Sequence, residues 1–316
     1  MSEPNVKQSA RPGANSGSNA GANAAKTGAN KPRKSYSSFG QAWLRLRISP
    51  LFWISVVIIA FLLVLAIFPS LFTSHTPDHC DLGDSRAPAG GEYLLGADLQ
   101  GCDIMANIAY GARASLTVGV VSSLGATAVG VIIGIVAAYF GGWVDALLSR
   151  ISDVFFAIPL ILGAIVAMQV TEHRNVWTLS AILIFFGWTN TARIARSATL
   201  EVRTKEYIAA ARLLHVHNGR ILLTHILPNI IAPIIVVATI GIGGLIAAEA
   251  SLSYLSIGLP PNIPSWGKAI ADGQKVLRVN PGIMLWPALA LTLTVLAFIS
   301  LGEAIRNAFG SRKDSR

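Results

Sequence analysis

A succession of apolar stretches constrains this chain most, near 52–73, 115–139, 154–172, 177–198, 230–252 and 285–306. Each approaches the roughly 20 helical residues needed to cross a hydrocarbon core of about 30 Å. Hydrocarbon offers no water to satisfy backbone groups, so a spanning segment of this kind must be a helix. With 53% hydrophobic and only 13% charged residues among 316, the chain is too apolar to be dissolved in water. The expected fold is all-α, a polytopic membrane protein with six transmembrane helices and both termini on one side. The first stretch follows about fifty residues and no small-x-small cleavage site, so it reads as an uncleaved anchor.

Lys and Arg set the expected orientation. Lys31, Arg33, Lys34, Arg45 and Arg47 precede the first stretch, Arg150 lies between the second and third, and Arg193 to Arg220 follow the fourth. Arg306, Arg312, Lys313 and Arg316 close the chain. These segments, termini included, are expected in the cytoplasm, and the chain in the plasma membrane. The net charge of +9 is spread over the ends and one internal loop, which argues for a membrane and against nucleic acid. Residues 1–36, rich in Ala, Asn, Gly and Ser, read as a disordered basic tail that can attract anionic lipid. Residues 37–73 then carry the first helix and 74–112 an extracytoplasmic loop. A five-helix core occupies 113–309, and 310–316 form a short cytoplasmic tail.

Several chemistries are missing. No G-x-x-x-x-G-K-[ST] occurs, and Gly267-Lys268 is followed by Ala269. The six histidines form neither H-E-x-x-H nor a metal-spaced cluster, so no catalytic or metal site is expected. Cys80 and Cys102 share the loop after the first stretch, where an oxidising compartment favours a bridge worth on the order of 3 kcal/mol. Free thiols, or a metal held with His75 or His79, are the alternatives. Within the second stretch, Gly130-x-x-x-Gly134 is a spacing that lets helices approach closely.

The segment 201–228 is polar enough to leave the membrane, yet Tyr207, Ala210, Ala211 and Leu214 recur at helical spacing. A turn near Val216 to Gly219 and a second short helix ended by Pro228 are expected after it. Small alanines rimmed by Glu206, Arg203, Arg212 and Arg220 suit the close approach of another surface.

EYIAAARLL followed by RILLTHILPN resembles the EAA loop of ABC-importer permeases, specifically the C-type subunit of the dipeptide/oligopeptide family. LLGADLQGCDIMANIAYGARASLTVG at 94–119, AAYFGGWVDALLSRISDVFFAIP at 137–159 and GWTNTARIARSATLEVRTKEYIAAAR at 187–212 carry the resemblance further. So do AAEASLSYLSIGLPPNIPSWGKAI at 247–270 and PALALTLTVLAFISLGEAIRNAFGSR at 287–312. The resemblance implies a type I ABC-importer permease fold without its own ATPase site. It also implies a homologous B-type permease partner, two cytoplasmic ATPase subunits or domains holding ATP and Mg, and an extracytoplasmic substrate-binding protein. The cargo it implies is a di- or oligopeptide, with glutathione and nickel chelates as further members' cargoes.

On this resemblance Glu206, Tyr207, Ala209, Ala210, Ala211 and Arg212 belong to a coupling helix seated in an ATPase groove, and Leu227 and Pro228 terminate the loop. His215 stands where the family has glycine. Either His215 takes the left-handed conformation, or the turn moves to Asn218-Gly219. Asp98, Asp103 and Arg113 match the family's LGxDxxGxD region, as an outer mouth or as turn caps and an ion pair. Cys102 replaces an arginine common there, which favours pairing with Cys80. Asp145, Arg150 and Asp153 are expected to pair structurally. Glu249 and Trp188 are candidates for the translocation path, with packing the alternative, and 257–284 is expected to be an ordered cap.

Overall fold

The computed structural model describes residues 38–310. The tail expected at 1–36 and the basic residues after 310 lie outside the described residues. Among the described residues all regular elements are helices. The first two are α1 (Ser38–Leu46) and α2 (Pro50–Ile67), joined at Ser49, whose hydroxyl accepts the Phe52 N–H at 3.4 Å. Pro50 fits the first turn because no helical partner awaits its missing N–H.

Helix α3 (Ile104–Phe140) starts well before the expected 115, because Asp103 accepts the Met105 N–H at 2.9 Å and caps it. Gly141, at φ 68°, ends it. The expected continuous third span is instead a broken pair, α4 (Gly142–Ala157) and α5 (Leu160–Gln169), bent by 79°. Pro159 is the cause: its ring pushes Ile158 out of the helical region, to φ −83° and ψ 115°.

Helix α6 (Val176–Arg203) is capped by Asn175, and α7 (Glu206–Leu213) follows it closely. After α7 come α8 (Asn218–Ile221), a π turn (Leu222–Ile226) and α9 (Leu227–Tyr254), together one helical run from Asn218 to Tyr254. The second loop helix is therefore not separate, and Pro228 does not end it. Pro228 lacks an N–H to give the preceding turn, and the wider π turn accommodates that gap. Helices α10 (Trp266–Gln274) and α11 (Gly282–Gly310) complete the bundle.

Among the described residues four helical runs are long and apolar enough to cross a membrane: α2, α3, Asn218–Tyr254 and α11. The bent α4–α5 pair makes a fifth if it acts as one span. Helix α6 has 28 residues, about 42 Å of helix, but Thr189, Asn190, Thr191, Arg193 and Arg196 dilute its second half.

Packing is closest between α3 and α6. A Cβ on Gly130 would lie 2.6 Å from the Trp188 carbonyl oxygen, and one on Gly134 would lie 2.4 Å from that of Ala192. The small-residue pair therefore serves contact inside this chain, driven by van der Waals fit, since lipid gives helices no hydrophobic reason to associate. Leu65, Ile108, Leu116, Ile246, Trp266 and Phe298 join α2, α3, α9, α10 and α11. Val118, Met168, Leu179, Leu183 and Leu252 join α3, α5, α6 and α9. Val57, Ile132 and Val166 stay exposed, as residues facing lipid do.

Candidate functional site

At one end of the bundle α7 lies across the ends of α3, α6 and α9. Ile208 and Ala211 are buried against Ile135, Tyr139, Ala195, Ile221, Ile226 and Ile230. Arg212 stacks its guanidinium 4.7 Å from the Tyr139 ring, and the Tyr139 hydroxyl donates to Asn218 Oδ1 at 2.8 Å. Arg203 donates to the Ala138 carbonyl. Ile208, Ala211 and Arg212 fasten α7 to the bundle, while the other two contacts tie α3 to α8 and to α6. The expected apolar face therefore divides: Ala211 turns inward, whereas Glu206, Tyr207, Ala209, Ala210, Arg212, Leu213 and Leu214 are exposed.

His215 adopts φ 55° and makes the reversal after α7. Asn218-Gly219 instead opens α8, with His217 Nδ1 accepting the Gly219 N–H at 3.2 Å. Leu227 is half-buried and Pro228 exposed at the start of α9.

The opposite end is built from residues 74–103 and α10. Cys80 and Cys102 are joined by a disulfide. Asp98 Oδ1 accepts the N–H groups of Gln100 at 2.8 Å and Cys102 at 2.9 Å, which holds the turn carrying Cys102. Burial pushes the Asp98 carboxyl above its ordinary range, partly offset by these two hydrogen bonds. Hydrogen bonding to Asp84 raises the Tyr93 hydroxyl to about 12.

Arg113 does not pair with Asp98 or Asp103. Its guanidinium donates to the carbonyls of Ala66 at 3.1 Å and Ile67 at 3.3 Å and caps α2. Asp98 lines a cavity of about 280 Å³ between this loop and α10, together with the disulfide, Asn107, Lys268 and Asp272. Loop 257–284 contains α10, whose Trp266 is fully buried and donates from its indole N–H to the Ile108 carbonyl at 3.0 Å.

Two residues expected beside a passage are enclosed in this chain. Glu249 is fully buried, accepting the hydroxyls of Ser115 and Ser253 at 2.7 Å each, so it ties α9 to α3. Trp188 is 5% exposed and packs with Ala126, Ala192 and Phe155. Asp145 and Asp153 pair with α6: Arg196 binds Asp145 through two bonds at 2.6 and 2.7 Å, and Arg193 reaches Asp153 at 3.1 Å. The surface that opens instead is a cavity of about 440 Å³ between α3, α6 and α9, lined by Thr127, Gly187, Asn190, Gly241 and Gly244 among others. Sequence reasoning missed it. The signals were Gly241 and Gly244 in one apolar stretch and a lone Asn190 in another.

Residues 37–89 match the N-terminal transmembrane domain of oligopeptide transport permease C. Residues 130–315 match the binding-protein-dependent transport system inner membrane component. The chain belongs to that family. The permease is 35% identical over 283 residues to the dipeptide transport system permease protein DppC of Alkalihalophilus pseudofirmus, covering 88% of this chain and 91% of that one. It is 32% identical to the oligopeptide transport system permease protein OppC of Bacillus subtilis, over 87% and 90% of the two chains. It is also 36% identical to the glutathione transport system permease protein GsiD of Pectobacterium atrosepticum, over 71% and 74%. The permease is thus a multi-pass membrane protein of binding-protein-dependent transport.

Proposed function

We propose that this chain is the C-type permease subunit of an ATP-driven importer of di- or oligopeptides. Near-complete coverage of relatives named as dipeptide and oligopeptide permeases carries this reading. In it the chain crosses the plasma membrane six times, counting α6 and the bent α4–α5 pair, with α7 and both termini in the cytoplasm. Tyr207, Ala210 and Leu214 supply an exposed apolar strip for an ATPase subunit, and Glu206 and Arg212 its polar rim.

Two such ATPases hold ATP and Mg, a homologous B-type permease forms the other half of the path, and an extracytoplasmic binding protein delivers cargo near α10. Closure of the ATPases pushes α7, whose contacts with Tyr139 and Ile230 pass the movement to α3 and α9. Reconstitution of the copurified complex with its binding protein tests this. ATP-dependent uptake of a labelled dipeptide is expected, and flux without ATP, or none with it, overturns the reading. Similarity to the glutathione permease favours one second cargo, so labelled glutathione is the competing substrate in the same assay.

A further inference from the structure

The cavity between α3, α6 and α9 combines features that packing alone does not explain. Asn190 is exposed in the middle of α6, and its carboxamide has no hydrogen-bond partner among the described residues. An unpaired carboxamide facing hydrocarbon is costly, so this group must face water, cargo or another polar surface. Half-buried Thr127 lines the same cavity from α3. From α9, Gly244 lines it too: it is exposed, and a Cβ there would meet no described atom within 4 Å. Among the described residues, none that lines the cavity is titratable. The cations of α6 lie beyond it, Arg193 and Arg196 being engaged by Asp153 and Asp145.

We infer that this cavity is the chain's wall of the passage, and that it recognises peptide amide groups through Asn190 while ignoring side-chain charge. A carboxamide both donates and accepts, so it matches the N–H and C=O that every peptide bond carries. An uncharged lining neither traps nor repels ionised side chains, which suits cargo of varied sequence that must leave again. The inference rests on the peptide reading above and adds where, and by what chemistry, the cargo is met.

The test uses the copurified complex in vesicles with its binding protein and three labelled dipeptides, neutral, acidic and basic. Gly244→Trp has room to fold and fills the cavity, so uptake of all three is expected to fall at least about tenfold, with assembly and ATP hydrolysis retained. Gly244→Asp is expected to depress acidic-peptide uptake about tenfold relative to basic-peptide uptake, each scaled to the unmodified complex. Asn190→Leu is expected to lower uptake of all three equally. Unchanged uptake in Gly244→Trp, or equal effects on acidic and basic peptides in Gly244→Asp, overturns the inference. Loss of the partner permease from the Gly244→Trp complex also overturns it, by making this surface a subunit interface. An unmodified complex that moves no peptide overturns the proposed function instead.

Discussion

Ala210 and Ala211 are neighbours in sequence, yet one is exposed and the other 8% exposed against Ile208, Ile226 and Ile230. Ala210→Glu should leave thermal stability within about 0.5 kcal/mol of wild type while uncoupling ATP hydrolysis from uptake. Ala211→Glu should cost on the order of 3 kcal/mol, because it drives a carboxylate into an apolar cluster. Melting curves in detergent beside uptake assays separate the two. Equal melting losses would count against the orientation of α7. Asp98 supplies a second contrast. Its raised carboxyl binds a proton more tightly in the folded loop than in the unfolded chain. Its contribution to stability is thus fully present in acid and declines as pH rises from the ordinary 3.8 through the raised value. Asp98→Asn keeps an oxygen for the Gln100 and Cys102 N–H groups and should flatten that decline in unfolding measurements across this window.

The elements divide by how local their causes are. Helix α3 begins where Asp103 caps it, and α4 stops because Pro159 follows Ile158, both matters of adjacent residues. The face that α7 buries is not local. Tyr207-Ala210-Ala211-Leu214 and Ile208-Ala211 both satisfy helical spacing, and Ile221, Ile226 and Ile230 select the second. The π turn before Pro228 was equally hidden, since proline at that point reads as a stop until the helix on both sides is seen to continue. For the α3–α6 pair, Gly134→Leu should force the helices apart. A side chain starting 2.4 Å from the Ala192 carbonyl has nowhere to go, and a loss of about 3 kcal/mol or more is expected in thermal unfolding. A loss under about 0.5 kcal/mol would mean the two helices do not meet there.

For the whole molecule, the two ends differ in kind. One carries the Cys80–Cys102 disulfide and α10, the other α7 with its exposed Leu213 and Leu214. In intact cells a membrane-impermeant maleimide should leave Leu213→Cys unlabelled, and in inverted vesicles it should label that residue. The native cysteines should resist alkylation in both until reduced. Labelling of Leu213→Cys from outside would reverse the proposed orientation. The proposed topology puts four crossings between residues 38–46 and α7, namely α2, α3, the α4–α5 pair and α6, so a cysteine placed in 38–46 should be labelled from the same side as Leu213→Cys.

What the residues determined alone is the helical bundle, its apolar stretches, the polar segment that leaves it and the cysteines' shared loop. Hydrocarbon demands that each segment satisfy its backbone with partners four residues away, and so local a requirement is written plainly in composition and spacing. Tertiary structure decided the faces. Glu249 became a buried tie because Ser115, 134 residues distant, arrives 2.7 Å away. Trp188 became packing because Gly130 lets α3 close on it, and Asn190 was left open because no described residue covers it. Those outcomes depend on contacts between distant residues, whose energies exist only once the helices have met.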